Sequence, residues 1–181
     1  MSTATATAIP AGTYSIDPAH SSVEFAVRHM GIATVRGKAT EFAGTIDATG
    51  DTPSLEGTVK VASFTTLDEQ RDAHLAAPDF FDVERYPDIT FKASDIQIAD
   101  DGNVRIPGEI TIKGVTKEIE LTGAFAGTGT DPWGNERVGL DVSAVIDRRD
   151  FGLSWNQPLP TGGLLVSNEV TLELSASAVK A

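Results

Sequence analysis

IDPAHSSVEFAVRHMG, residues 16–31, is the most informative stretch of this sequence. Within it Val23, Phe25 and Val27 alternate with polar or small residues, which is typical of a β-strand with one apolar face. His29 falls on the apolar side of the alternation, at the end where the pattern stops. An imidazole in that position either belongs to the core, with its polar atoms satisfied, or lies at the edge of a cavity.

The same two-residue alternation recurs almost to the end of the chain. It is found in residues 55–61, 104–112, 119–125, 138–146 and 170–175. One apolar and one polar face in strand after strand is typical of an antiparallel sheet. Short turn sequences at residues 100–103 and 113–115 favour hairpins between these strands.

Helix is almost absent from the pattern. The only helical candidate is residues 67–76, with Thr66 or Asp68 as the N-cap and Pro78 beyond its end. About eight or more half-buried strands with so little helix must bury their apolar faces against one another. We therefore predict an all-β fold, an antiparallel β-barrel of about eight strands with one short helix at the mouth.

The composition is that of a globular domain with an acidic surface. Of the 181 residues 40% are hydrophobic and 22% charged, which is enough for a folded core. Residues 1–11 are small and polar and are predicted to form a flexible lead-in, followed by one barrel domain over residues 12–181. The net charge of −12 argues against nucleic acid as a partner and against attraction to anionic membranes by overall charge.

Several features exclude whole classes of site. There is no cysteine, so disulfides and thiolate chemistry are excluded. The N-terminus has neither the positive charge nor the apolar run of a secretion signal, and no stretch reaches the roughly 20 apolar residues of a membrane-spanning helix. We therefore expect a cytoplasmic protein without a transmembrane segment.

The polar residues most able to carry chemistry lie in two short clusters. Arg71-Asp72 and residues 148–150 (Arg-Arg-Asp) are each predicted to contain a structural ion pair. The alternative is that one arginine faces a polar headgroup, because guanidinium matches phosphate well. In residues 148–151, alternation is expected to place Arg148 and Asp150 on one side and Arg149 and Phe151 on the other.

The three histidines have no metal-binding spacing, so no metal is expected. His20 is predicted to hydrogen-bond with local backbone, and His74 to pair with Asp72 or with a backbone group. No nucleophile motif or phosphate-binding glycine loop is present, so an enzyme is not favoured. An acid–base pair of Asp72 and His74 is the catalytic alternative.

Small and aromatic residues bear on whether the barrel is hollow. Small residues on the predicted core face would leave room for a ligand; they are Ala39, Ala43, Gly108, Gly123 and Ala144. Phe80 and Phe81 cannot both face inward from a strand, but they can do so from a turn that folds over the mouth.

Seven short motifs, taken in order, resemble the YceI family over about residues 12–179. They are DPAHS (17–21), RHMG (28–31), RDAHL (71–75), FFDV (80–83), YP (86–87), IKGVTK (112–117) and DRRDFG (147–152). Tyr14 and Ala39 depart from the family pattern, where Trp and Phe are expected.

This resemblance implies a lipocalin-like barrel, a homodimer, and no cofactor apart from a bound lipid. It implies that the barrel lumen binds, stores or transports a long polyisoprenoid lipid, either a polyprenyl phosphate or an isoprenoid quinone. The predicted ligand-binding residues are Val23, Phe25, Val27, His29, Phe42, Phe64, Arg71, Leu75, Phe80, Phe81, Phe91, Arg148, Phe151 and Trp155.

Two alternatives stay open. One is an enzyme that acts on a small lipophilic substrate through the His, Asp and Arg residues of the mouth. The other is a haem-binding barrel in which His29 or His20 is the axial ligand.

Overall fold

The computed structural model describes residues 8–181 and forms one continuous antiparallel sheet that closes into a barrel. Its strands are β1 Thr13–Ile16, β2 Ser22–His29, β3 Ala33–Ala39, β4 Phe42–Asp47, β5 Ser54–Lys60, β6 Phe64–Thr65, β7 Asp88–Ala93, β8 Gln97–Ile98, β9 Asn103–Ile112, β10 Val115–Thr130, β11 Glu136–Asp147 and β12 Val166–Lys180. The order β1-β4-β5-β7-β9-β10-β11-β12 returns to β1, so these eight strands close the barrel. The predicted all-β barrel is confirmed.

The wall of the barrel forks at β12. The C-terminal end of this strand pairs with β1, from Ala178 to Lys180. Its N-terminal half pairs with β2, between Val166 and Ser175, and β3 and β6 continue the sheet beyond β2. The barrel is therefore narrow near β1 and wide toward the β2–β3 turn.

A solid core fills the narrow end. Its most deeply buried side chains include Tyr14, Ile46, Ile106 and Leu140. The Tyr14 hydroxyl donates to the carbonyl oxygen of Pro10 at 2.8 Å. Most of the predicted lead-in, residues 1–11, lies outside the described residues, but Ile9 is described and packs in this core.

An ion network ties the strands together beside this core. Arg137 at the start of β11 donates to the Asp17 carboxylate at 2.9 Å and to the Asp131 carboxylate at 3.0 Å. The ring of His20 contacts the same Asp17 carboxylate at 2.7 Å, so the prediction of a backbone partner for His20 is wrong. The hydrogen bonds from His20 and then Arg137 lower the pKa of Asp17 to about 2. The pKa of Asp131 is also lowered, by hydrogen bonds from Asn135, Arg137 and backbone amides.

Local turns follow the sequence signals. Lys113 and Gly114 join β9 to β10 with φ angles of 49° and 76°, the left-handed pair that a two-residue hairpin needs. Both β7 and β8 pair with β9, and the chain breaks its alternation between them at residues 94–96.

One α-helix, α1 (Glu69–Ala76), lies over the wide end. Asp68 caps it by accepting from the Arg71 amide at 2.9 Å, so the predicted short helix is confirmed. Leu67 just before it is 93% exposed and does not dock on the barrel. Leu75 on the other end of the helix does pack inward.

Candidate functional site

A cavity of about 620 Å³ lies between the core of the narrow end and helix α1. Val23, Phe25 and Val27 of β2 line one side of it. On the neighbouring β12, Leu172 pairs with Phe25 and Val170 pairs with Val27, so these side chains extend the same inner face. The alternation along both strands directs the apolar set inward and leaves the polar set in water.

Phenylalanine rings form much of the remaining wall. Phe42, Phe64 and Phe91 line the cavity from three different strands. The ring centroid of Phe64 lies 5.2 Å from that of Phe25, edge to face, and 6.2 Å from that of Phe81, stacked. Such aromatic pairs stabilise the wall beyond the area that they bury.

We call α1 with residues 77–83 the lid. Phe80 and Phe81 both line the cavity from the turn that follows the helix, as predicted. That turn is closed by hydrogen bonds from the Phe81 amide to the Leu75 carbonyl and from the Asp82 amide to the Ala77 carbonyl, each 3.0 Å. The lid is thus shaped by its own backbone, and its apolar face covers the cavity.

Arg71 and Asp72 of the lid meet at a third residue instead of pairing with each other. Arg71 donates to the hydroxyl and the carbonyl oxygen of Thr66 at 2.8 and 2.9 Å. Asp72 accepts from the amide and the hydroxyl of the same threonine at 2.8 and 2.6 Å. Burial would raise the pKa of the Asp72 carboxyl, but these bonds outweigh it and lower that pKa. The predicted Arg71–Asp72 ion pair is therefore wrong.

His74 also has a partner other than the predicted one. Its Nε2 lies 3.4 Å from an Asp79 carboxylate oxygen, and its ring packs edge-on against Phe80 and Trp155 at 4.9 and 4.8 Å. The predicted pairing with Asp72 or with backbone is wrong. The acid–base pair on which the catalytic alternative depended is therefore not formed.

Arg148 is 5% exposed and holds the loop that borders the mouth. It donates to four backbone carbonyl oxygens, those of Leu153 at 2.7 Å, Trp155 at 2.8 Å, Ser167 at 2.9 Å and Val166 at 3.4 Å. Burial lowers the pKa of its guanidinium. Although Arg148 borders the cavity, these contacts commit most of its donors to the loop, not to a ligand.

The remaining predictions for residues 148–151 are corrected by local geometry. These residues form a 3₁₀ helix, in which residues three apart share a side, so Arg148 and Phe151 are both buried. Arg149 pairs with Asp147 at 2.6 Å, which contradicts an ion pair inside the Arg-Arg-Asp run. Phe151 packs in the core below the lid and is not on the cavity wall.

All the other predicted ligand-binding residues line the cavity. They are Val23, Phe25, Val27, His29, Phe42, Phe64, Arg71, Leu75, Phe80, Phe81, Phe91, Arg148 and Trp155. The sequence reasoning missed aliphatic lining residues of the far wall, such as Ile110, Ile119 and Ile146. These residues follow the apolar–polar alternation of their strands, but the alternation is the same for residues that line a cavity and for residues that pack in a filled core.

Two glycines of the barrel wall make room for phenylalanine rings and do not themselves open space for a ligand. A Cβ at Gly108 would collide with the ring of Phe91, and one at Gly37 with the ring of Phe25. These glycines let the rings lie flat on the wall. A Cβ at Gly123 would meet the Asp141 carbonyl oxygen. The prediction that Gly108 and Gly123 open space is wrong.

The other small residues are divided. Ala43 does line the cavity, whereas Ala39 is buried and Ala144 packs against the core.

Of the two histidines considered as haem ligands, only His29 borders the cavity. The described part of the chain holds no group of three or more side chains able to bind a metal ion. Within residues 8–181 no helix has the length and apolarity to cross a membrane.

Comparison with known proteins supports this architecture. A family model described as YceI-like domain matches residues 14–178. A UPF0312 protein of Staphylococcus aureus (strain N315) is 32% identical over 167 residues, 90% of this chain and 95% of that protein.

Two solved structures share the fold. BcnA of Burkholderia cenocepacia superposes with a TM-score of 0.75 at 25% identity, covering 90% of this chain and 98% of BcnA. A polyisoprenoid binding domain from Saccharophagus degradans, implicated in plant cell wall breakdown, has a TM-score of 0.66 at 15% identity and covers 93% and 98%.

Proposed function

The chain belongs to the YceI-like family, and from that premise we propose that its cavity binds the tail of a polyisoprenoid lipid. The bound lipid is a polyprenyl phosphate or an isoprenoid quinone, which the protein stores or carries. No catalytic step is part of this function.

One observation carries the proposal: a cavity of about 620 Å³, walled by aliphatic and aromatic side chains, inside a closed barrel. This volume is within the roughly 300–1,000 Å³ range of small-molecule pockets. Burial contributes about 0.8 kcal/mol per methylene-sized group, so each five-carbon unit adds about 4 kcal/mol before costs. Ordering the tail offsets part of this gain, yet a few units suffice for tight binding.

The shape of the wall supports a long, branched tail. Flat rings such as Phe25 and Phe91, seated on glycines, leave a smooth surface along which methyl branches can lie. The Saccharophagus degradans domain, which shares the fold, is described as binding polyisoprenoids. That likeness is one of fold, and the apolar wall of this chain is the independent support.

The headgroup is expected to remain at the mouth and to contribute little affinity. Three polar residues of the lid, Gln70, Arg71 and His74, border the cavity, together with the helix cap Asp68. Two of the donor groups of Arg71 already form hydrogen bonds with Thr66. A headgroup thus meets few free donors on the lid, and Arg28 and His29 border the cavity from β2. We expect most of the binding free energy to come from the tail.

Organic extraction of the natively purified protein, followed by mass spectrometry, tests the proposal. We expect a series of masses spaced by one isoprene unit, and the headgroup mass then distinguishes a phosphate from a quinone. A protein that yields no lipid and takes up no added prenyl lipid would refute the proposal. A Soret band would support the haem alternative through His29 instead.

Two further properties belong to the same proposal. We propose that the protein acts in the cytoplasm and as a homodimer. Cell fractionation tests the first, and light scattering of the purified protein tests the second.

A further inference from the structure

Two loops beside the wide end of the barrel expose apolar side chains. The β2–β3 turn exposes Met30 (45%) and Ile32 (78%), and the loop before β12 exposes Leu164 (46%). The Met30 amide donates to the Leu165 carbonyl oxygen at 2.8 Å, so the two loops lie side by side. We call Met30, Ile32 and Leu164 the apolar tip.

The segments that form this tip contain no carboxylate. The chain has 26 acidic residues among 181, yet residues 25–40 and residues 151–168 have none. The flanking carboxylates, Glu24, Glu41, Asp150 and Glu169, stand at the ends of these segments. The tip segments themselves therefore carry no negative charge, and the carboxylates of the lid at the same end of the barrel are Glu69, Asp72, Asp79 and Asp82.

A cation lies at the base of the tip. Arg28 donates to the Gly31 carbonyl oxygen at 2.9 Å and to the Thr34 hydroxyl at 3.0 Å. Among the described residues it has no carboxylate within ion-pair distance. The Arg28 side chain is exposed and also borders the cavity, and its positive charge is not neutralised by a carboxylate.

We propose that this apolar tip docks the protein on a lipid bilayer, with Met30, Ile32 and Leu164 in the interface and Arg28 near lipid phosphates. Apolar side chains beside a basic residue are the pattern of interfacial membrane binding. A second copy of the chain fits this surface less well, because a two-fold contact at the tip would bring two Arg28 side chains together.

The negative charge of the whole protein does not prevent this docking. The eight residues of β2 span about 26 Å, so carboxylates at the narrow end lie well beyond the screening length of about 8 Å at 0.15 M salt. At that ionic strength the membrane interacts mainly with the wide end, where the tip segments have no carboxylate and the lid has Glu69, Asp72, Asp79 and Asp82. The overall charge of −12 instead favours an orientation in which the narrow end points away from the membrane.

This inference deepens the proposed function, because the tip adjoins the cavity. His29, Leu165 and Val166, the neighbours of the tip residues in sequence, line the cavity wall. A lipid could therefore pass between bilayer and barrel without crossing water. Docking itself needs no ligand, so it can be tested separately.

Flotation with vesicles of phosphatidylcholine and phosphatidylglycerol at about 0.15 M salt tests docking. We expect wild-type protein to float with the vesicles. Ile32→Asp should weaken binding at least about tenfold, because it replaces the most exposed apolar side chain of the tip with a charge. Arg28→Gln should weaken it about fivefold, the effect of one basic residue at an anionic surface.

Trp133→Asp is the matched control. Trp133 is an equally prominent apolar side chain, 81% exposed, but lies in the β10–β11 loop at the narrow end. Its substitution should change flotation by less than about twofold, since it removes no tip contact. Circular dichroism confirms that each variant keeps its β-sheet.

Three outcomes would overturn the docking proposal. They are wild-type protein that does not float, equal losses in Ile32→Asp and Trp133→Asp, and a dimer that Ile32→Asp dissociates while no form floats. Lipid extraction on the same samples keeps the two proposals apart. Protein that floats but neither yields nor takes up a prenyl lipid would support docking and refute the proposed ligand, and lipid-loaded protein that does not float would do the reverse.

Discussion

At the scale of single residues, Val27 and Val104 show how one side-chain type serves two purposes. Val27 on β2 lines the cavity, whereas Val104 on β9 is buried in the solid core of the narrow end. Added volume at the first position has an empty space to enter. At the second position it must displace neighbours that are already close-packed.

We therefore expect Val27→Trp to abolish lipid binding while the protein stays folded, with a loss of stability below about 1 kcal/mol. The matched variant Val104→Trp should lose about 1–3 kcal/mol or more, because overpacking strains a filled core. Denaturant unfolding and lipid extraction measure the two effects. If Val27→Trp lost as much stability as Val104→Trp and kept its lipid, the β2 face would be ordinary core.

The neighbouring arginines 148 and 149 offer a second contrast. Arg148→Met should destabilise the protein by about 2–4 kcal/mol, because it removes the donor from the buried carbonyl oxygen of residue 153 and from the partly buried ones of residues 155 and 167. Arg149→Met removes only an exposed pair with Asp147 and should have little effect. Thermal unfolding of both variants checks this. Equal losses would mean that Arg148 does not hold the loop.

These residues also show what sequence can and cannot predict about a site. Inward apolar positions on regular strands, such as Val23 and Phe25, follow from alternation alone. The partners of Arg71, Asp72 and His74 do not, because a turn or a helix cap brings an unexpected acceptor such as Thr66 close. Phe151 was misplaced for the same reason, since a 3₁₀ turn changes which residues share a side.

At the scale of elements, the lid differs from the strands that it covers. Its helix has only eight residues and none of them is fully buried. A helix this short depends on its contacts with the barrel and does not hold itself together. The lid is therefore the element that opens with the least free energy.

When ligand binds, we expect amide exchange in residues 67–83 to slow more than in the barrel strands, because the tail adds contacts to Leu75, Phe80 and Phe81. Hydrogen-exchange mass spectrometry of lipid-free and lipid-loaded protein measures this. Phe80→Ala should reduce lipid retention at least about tenfold, because burial of a Phe side chain contributes about 1.5–3 kcal/mol. Arg71→Ala should reduce it less than about fivefold, because Arg71 already donates to Thr66.

Two results would contradict this view of the lid. One is exchange in residues 67–83 that does not respond to ligand. The other is an Arg71→Ala variant that alone empties the protein, which would shift the affinity to the headgroup and favour a prenyl phosphate over a quinone.

At the scale of the whole molecule, stability at low pH depends on the network around Arg137. Folding lowers the pKa of Asp17 to about 2, and a lowered carboxyl pKa stabilises the folded state above the ordinary value of about 4. That contribution is lost as the pH falls through the folded pKa. The Asp17 contribution should therefore be complete at neutral pH and mostly lost near pH 2, whereas Asp131, whose pKa is lowered further, keeps part of its contribution at that pH.

We expect Arg137→Met to be less stable than wild type at pH 7, and the difference to shrink as the pH is lowered from about 4 toward 2. Arg36→Met, which removes an exposed pair with Glu173, should differ little from wild type at any pH. Urea unfolding at several pH values gives the comparison. A difference for Arg137→Met that does not change with pH would exclude the carboxylates as its cause.

The barrel as a whole was predictable because apolar and polar residues alternate along each strand, which shows that one face is buried and the other faces solvent. The fork at β12 was not, because it depends on a register shift between Val166 and Val170 and on pairings between distant segments. The cavity follows from that fork. The alternation therefore predicts which apolar side chains face the inside of the barrel, whereas the pairing of distant strands determines the shape of the cavity.

The fork has a further consequence for biosynthesis. β12 pairs with β11, β1 and β2, and it is translated after every other strand of the barrel. Until its residues are available, β1 and β2 lack the partner that joins them to the far side of the sheet, and their edges stay open to wrong pairings. Folding must therefore wait for the end of the domain, and nascent chains are the form of this protein most in need of a chaperone.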